Sequence, residues 1–326
     1  MNDKDLEVKR HHHYVWAQYL LSWSRGTKKV FFTTKKGKII DDSVRLIVVE
    51  DFFYKITNLN NANLRVIEIF SKFSSENLQR EHTLMLQRFL KIQELEKIYH
   101  SSGKKNKDIE LHLERMRCNG LENMHTAHEL SARHVLSALA NRDLSVLQDD
   151  AQMCSFMAYF GLQITRTKAF RDSILNMLRR NSELELISAD ATSQAWWFLS
   201  YMFGTNIGLS LYLDRKKITH ALLINETNIP FITSDQPILN VHEDVSETEF
   251  VAPEHADFYY PLSPTVAYII CDSEQFSKGL NFISEEKAFE LNKKIASQAM
   301  VHLIGDSKEA LQPFQKFLGK RHLKNI

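Results

Sequence analysis

The chain has 326 residues, 44% of them hydrophobic and 25% charged, the proportions of an ordinary folded protein with enough apolar side chain for a substantial core. Lys and Arg number 41 against 40 Asp and Glu, and the formal charge of +1 excludes a global attraction to nucleic acid or to an anionic membrane. The longest apolar run, Ala195 to Phe203, is about half of what a bilayer-spanning helix needs, and the charged opening MNDKDLEVKR has no signal-peptide core behind it, so a cytoplasmic protein without a membrane partner is expected.

In chain order, YVWAQYLLS has apolar residues at helical spacing and predicts a short helix. RGTKKVFFTTKKGKII then reads as a hairpin around a KKG turn. Its lysines, Lys28, Lys29, Lys35, Lys36 and Lys38, read first as a solvated edge that discourages strand pairing, and second as a nucleic-acid backbone contact. Glu50 and Asp51 read as a helix start whose acidic side chains favour the N-terminal dipole. After the turn-rich NLNNANL the pattern is helical from about Leu64 to about Arg180, with HSSGKKNKD as a loop tip. Low Gly (10) and Pro (6) agree with long helices. Beyond Ser182, AWWFLSYMF suggests a buried helix, and HALLINE, PFITSD, PILNV and TVAYIICD are β-rich. SEEKAFELNKKIASQAM predicts a capped helix, VHLIG a last strand, and SKEALQPFQKFLG a helix interrupted by Pro313. Cys118, Cys154 and Cys271 are odd in number and widely spaced, which indicates buried thiols rather than a disulfide framework or a zinc site.

Three polar groups break this pattern. If Ser155 to Leu178 is one helix, Gln163, Arg166 and Thr167 share a face with Phe156, Tyr159, Phe160, Phe170, Ile174, Met177 and Leu178. A guanidinium there must meet a carboxylate, carbonyls, an aromatic ring or a bound anion, because an unpaired buried charge costs several kcal/mol or more, as an order of magnitude. It reads as an internal salt bridge or as an anion-facing arginine with Gln163 orienting substrate or water. In NIPFITSDQPILNV, Asp235 stands at a strand end ahead of Pro237, as a turn acceptor, salt-bridge partner or cap, or as a metal ligand or general base. The triplet His11, His12, His13 cannot converge on one point: successive side chains fan out on a helix and alternate on a strand. His12 or His13 could serve as base or ligand opposite Asp235. The pair His125 and His128, with Glu129 beside it, lacks the HExxH spacing and reads as a helix-surface pair. Ser263, in FYYPLSPTV, reads as a cap or loop bond. No GxSxG, Walker, Rossmann or EF-hand pattern occurs.

Together these segments resemble the uncharacterised, mainly bacterial domain-of-unknown-function family 4238. The matching residues are His12, His13, Tyr14, Val15, Tyr19 and Leu20; Gln163, Arg166, Thr167 and Arg171; Thr233, Ser234, Asp235 and Pro237; and Pro261 to Pro264, with Asn292 in a late helix. Trp16 departs from the family, which has proline there, so the backbone after the histidines is expected to be more helical. The resemblance implies that the His pair, the Gln-Arg helix and the Ser-Asp turn form one constellation, and it implies candidates for bacterial defence or toxin effectors. It names no reaction.

The expected fold is α+β and predominantly helical, with a small mixed or antiparallel sheet built from the N-terminal hairpin and C-terminal strands. It is read as a single domain, 1–326, in which 64–180 form a helical insertion packed on a β-rich unit of 10–60 and 215–326. The expected function is phosphodiester hydrolysis by His12, His13, Gln163, Arg166 and Asp235 as catalytic residues. Tyr14, Thr167, Arg171, Ser234 and Ser263 support them, and a divalent metal on His13 and Asp235 is the cofactor considered. Nucleic acid or an anionic small molecule is the expected partner. The rival reading is a non-catalytic binding module or sensor for an anionic ligand or nucleotide, favoured by a metal-free pocket with both histidines bonded to backbone carbonyls; a third is purely structural, with Arg166 paired to Asp235 and the histidines sealing the junction.

Overall fold

The computed structural model describes residues 7–180, 187–242 and 255–320, so the first six residues of the charged opening lie outside it. The histidine triplet forms strand β1 (His11–His13), followed by a single helical turn α1 (Ala17–Leu20) that a 3-10 turn extends to Trp23. Trp16 is the N-cap of α1. The hairpin is β2 (Lys29–Thr33) and β3 (Ile39–Ser43). Gly37, at φ 72°, supplies the left-handed residue of its turn. Glu50 and Asp51 do not start a helix. They belong to β4 (Val49–Asp51), because their backbone pairs antiparallel with β1, His12 opposite Glu50 and His11 opposite Asp51.

The chain is then helical: α2 (Asn61–Lys72), α3 (Glu76–Ser101), α4 (Lys107–Ala140), α5 (Asp150–Thr165), α6 (Lys168–Arg180), α7 (Ala189–Gln194) and α8 (Trp196–Asp214). A reciprocal cap starts α2, where the Asn60 side chain accepts from the Asn63 amide and Asn63 returns a bond to the Asn60 amide. One side of α4 buries Cys118, Leu121, His125, Glu129, Ala132, Leu136 and Leu139, a repeat of three and four residues along its length. The single helix expected over 155–178 is two helices. The first ends at Thr165, and Thr167 caps the second, its Oγ1 accepting from the Phe170 amide at 3.3 Å. Three glycines bring α5 and α8 together at backbone distance: a Cβ on Gly208 would lie 2.5 Å from the Met157 carbonyl oxygen, and one on Gly161 would collide with the Gly204 carbonyl. Among the described residues no helix is long and apolar enough to cross a membrane.

The C-terminal strands are β5 (Thr219–Ile224), β6 (Thr233–Ser234), β7 (Leu239–Asn240), β8 (Phe258–Pro261), β9 (Val266–Cys271), β10 (Gly279–Phe282) and β11 (Leu303–Gly305), with α9 (Glu285–Gln298) before the last and α10 (Lys308–Leu311) after it. Five make a sheet in the order β10-β5-β9-β8-β7, parallel at β10-β5 and antiparallel elsewhere. The N-terminal hairpin joins the C-terminal strands in a second, antiparallel sheet, β3-β2-β11-β6. The fold is α+β, with helix well ahead of strand at 55% against 15%. One apolar cluster runs from Val15 and Trp23 through α4, α5 and α8 to Tyr268 and Ile304, and a second lies between the larger sheet and α9. Cys118 and Cys271 are buried free thiols as expected, whereas Cys154 is exposed on α5.

Candidate functional site

Strand alternation decides the histidines. His11 and His13 project from one face of β1 and His12 from the other, where it is fully buried. The Tyr54 amide donates to His12 Nδ1 at 2.9 Å, so Nε2 carries the proton and donates to the Lys9 carbonyl at 3.1 Å. The ring stacks on Tyr54 at 5.7 Å. Burial, before any other influence, lowers its pKa, and the imidazole is neutral with both nitrogens engaged. His13 donates Nε2–H to the Arg45 carbonyl at 3.2 Å. Its pKa is lowered by burial first, and also by the nearby charge of Arg166. His11 is exposed and pairs with Asp51 at 2.7 Å.

Asp235 is buried at the end of β6, and its carboxylate is taken up by the backbone. Oδ1 accepts from the Met300 amide at 2.9 Å, while Oδ2 accepts from Val301 at 2.7 Å and His302 at 3.0 Å. The side chain anchors the connection from α9 to β11, the capping role weighed for it, and three amides leave little of the carboxylate for a base or ligand role. Ser234 closes the same turn by bonding both the amide and the carbonyl of Gln236, at 3.1 and 2.9 Å. Ser263 accepts from the Val266 amide at 3.0 Å in the turn before β9. The hairpin lysines are exposed, and Lys29 lies 3.5 Å from Asp41 on the neighbouring strand, so the hairpin face is not uniformly basic.

Gln163 and Arg166 meet as expected, at the end of α5. Arg166 is 2% exposed, and its Nη2 donates to Gln163 Oε1 at 2.5 Å. Gln163 Nε2 in turn donates to the Tyr14 carbonyl at 3.0 Å, which ties the segment after the histidines to the helix. The carboxylate that pairs with Arg166 is Glu129 of α4, with Nη1 to Oε1 at 2.7 Å. Burial works against the guanidinium's charge, yet Glu129 and the phenols of Tyr54 and Tyr159 outweigh it and hold the pKa above its usual value. Tyr14 connects this group to Asp235: burial first, then the carboxylates of Asp235 and Glu50, push its phenol far above the usual range. Glu50 is ion-paired with Lys168, whose ammonium lies 5.2 Å from the centre of the Tyr14 ring. Arg171 pairs with Asp172 at 2.9 Å, set over Phe53.

On α4, Glu122 was not singled out from the sequence, and the surface reading of its neighbours is corrected. His125 and Glu129 are not a surface pair with His128; His125 is 2% exposed and packs 4.6 Å from the Tyr54 ring. Among the described residues neither of its nitrogens has a partner, and Glu122 Oε2 and Arg166 Nε are likewise buried without one. Burial, and then Arg166, holds His125 well below the ordinary imidazole value. Glu122 is pushed up to about 7, by burial and then by Glu129, with Arg166 and the His13 amide pulling the other way. His128 reaches the Tyr201 hydroxyl at 3.1 Å. The missed signal was the three-and-four repeat of α4, on which 118, 122, 125, 129, 132, 136 and 139 fall: Glu122, His125 and Glu129 occupy core positions of an otherwise apolar stripe. The arrangement can store and exchange a proton between carboxyls next to a fixed positive charge. Among the described residues no group of three or more His, Cys, Asp or Glu is placed to hold a metal ion.

Comparison with protein families matches residues 11–309 to a family profile, DUF4238, described as a protein of unknown function. No curated protein and no solved structure matches.

Proposed function

The chain belongs to the DUF4238 family, and from that premise we propose that it is a phosphodiester hydrolase working by acid–base chemistry at the cluster of Glu122, His125, Glu129 and Arg166. The supporting observation is four buried polar atoms without partners among the described residues, around one arginine–carboxylate pair: Glu122 Oε2, both nitrogens of His125, and Arg166 Nε. Each such atom costs about 1–3 kcal/mol when left without a partner, so a cluster of four is a place that favours taking up water, a proton or a ligand. Glu122 is the general base. Its carboxylate takes a proton from water, the resulting hydroxide attacks phosphorus, the bond to the leaving oxygen breaks, and that oxygen takes a proton from solvent while Glu122 returns its own. Arg166, enclosed between Gln163 and Glu129, acts at a distance: its fixed charge favours the ionised carboxylate of Glu122 and offsets charge that builds on the phosphoryl oxygens. Nucleic acid is the expected substrate polymer, and bacterial defence the expected setting.

The test is hydrolysis of bis(p-nitrophenyl) phosphate and of oligonucleotides. Because a base works when deprotonated, kcat/KM should rise with pH through about 7, the value to which Glu122 is pushed. Glu122→Gln should remove about 10²–10⁴-fold of the rate together with that limb of the profile. Full activity in the folded variant would end the reading. A second reading, a non-catalytic binding module, is favoured by the carbonyl bonds of His12 and His13 and by the saturation of Asp235; it predicts no turnover in the wild type and retained ligand affinity in the variant.

A further inference from the structure

Beside α1 runs a groove of about 320 Å³ between Trp16, Gln18 and Ser22 on one wall and Arg133, Ser137 and Asn141 of α4 on the other. Its volume is at the lower end of small-ligand sites, which run from about 300 Å³ upward. Tyr19 forms part of its lining, anchored by its hydroxyl to the Pro261 carbonyl at 2.7 Å. The side chains of Gln18, Ser22 and Arg133 have no hydrogen bond or ion pair among the described residues. Arg133 is exposed, in contrast to Arg117 and Arg166, each of which meets a glutamate at 2.7 Å. The Trp16 indole is half-buried, held edge-on against Tyr159 at 6.1 Å, with its ring nitrogen unpartnered. The other sizeable groove, on α3 and α8, sets Glu81 and Arg88 together and so offers no net charge to a ligand.

We propose that the Trp16–Arg133 groove binds a nucleotide, with the base stacked on the indole and the phosphate on the Arg133 guanidinium. A planar indole face is sequence-tolerant toward bases, and an unpaired guanidinium matches phosphate geometry. The Gln18 amide and the Asn141 carbonyl oxygen are placed to meet the edge of the base. Arg133 stands four residues beyond Glu129 and eleven beyond Glu122 on α4, about 6 and 16 Å along the helix, and Trp16 packs against Tyr159, whose phenol feels the charge of Arg166. The groove lies on the Glu129 side of the acid–base cluster, away from Glu122, and would hold a nucleoside unit flanking the one cleaved. This inference rests on the hydrolase reading for its purpose but not for its test.

The experiment is calorimetric titration of the full chain with 5′-AMP, adenosine and inorganic phosphate. AMP should bind at least tenfold more tightly than either fragment. Arg133→Ala, an exposed change that keeps the fold, and Trp16→Ala should each weaken AMP at least fivefold; Trp16→Phe should restore most of the loss, which separates stacking from a folding defect. No AMP binding at millimolar concentration, or equal affinity in the wild type, Arg133→Ala and Trp16→Ala, overturns the proposal. If AMP fails to bind while Glu122→Gln abolishes turnover, the groove is lost and the hydrolase stands; AMP binding lost in Arg133→Ala, in a chain that hydrolyses no phosphodiester, leaves the groove and sinks the hydrolase.

Discussion

Arg166 shows how far a single residue can be read. Its place among Phe156, Tyr159 and Phe160 demands a partner for the charge, and that demand follows from the periodicity of one segment. The identity of the partner does not. Glu129 lies on another helix, and spacing within α5 carries no information about which residue of α4 faces it. Replacing Glu129 by Gln leaves the guanidinium buried without its carboxylate, and should cost about 3–5 kcal/mol of stability in urea denaturation; a loss below about 1 kcal/mol would mean that the ion pair is solvated after all. Asp235 was legible as a fixed carboxylate at a strand end. That it anchors the amides of Met300, Val301 and His302 depends on β6 pairing with β11, a contact between distant parts of the chain.

At the scale of elements, most helices and strands follow from pattern alone. The hairpin, the helix of AWWFLSYMF and the capped α9 sit where periodicity and caps place them. Two departures share a cause. Glu50 and Asp51 look like a helix start, yet β1 supplies a ladder that a three-residue strand can join. The stretch 155–178 looks continuous, yet α5, packed on α8 and α4, ends at Thr165 and Thr167 caps α6. The α5–α8 crossing is the most demanding contact of this kind. A methyl on Gly208 would meet the Met157 carbonyl oxygen at 2.5 Å and the Ala158 Cα at 2.9 Å, both backbone atoms that cannot turn aside. Gly208→Ala should therefore destabilise by about 1–3 kcal/mol or more despite its better helix propensity. Thermal melting measures this, and a raised Tm would show that the helices part without cost.

For the whole molecule the buried imidazoles dominate the response to acid. Burial lowers the pKa of His12, His13, His82, His125 and His128 below 6.5, and that of His220 to about 4. The unfolded chain thus binds protons that the native one refuses. Their stabilising contribution is complete above pH 6.5 and is lost as pH falls toward about 4. For His220 alone the full effect is on the order of 3 kcal/mol. Glu122 works in the opposite sense. Its pKa is raised from 4.5 to about 7, so its ionisation costs stability as pH rises through that window. Glu129, also raised by burial, acts in the same sense, and two carboxyls do not offset six imidazoles. The urea midpoint should be highest near neutrality and fall steadily from pH 6.5 to 4.5; a flat or rising midpoint over that range would refute the burial of these rings.

The sequence by itself determined the α+β class, the long helices, the N-terminal hairpin and the C-terminal strands as separate elements, and the need of Arg166 for a counter-charge. These follow from local periodicity and from the cost of desolvating a charge, which act on any chain of this pattern. Tertiary structure alone decided that β1 turns His12 and His13 to opposite faces, that Glu129 rather than Asp235 answers Arg166, and that Glu122 and His125 are shut in beside it. Those outcomes depend on which surfaces of separate elements come to face each other, and in a buried polar cluster the energy of every member is set by neighbours remote in the chain.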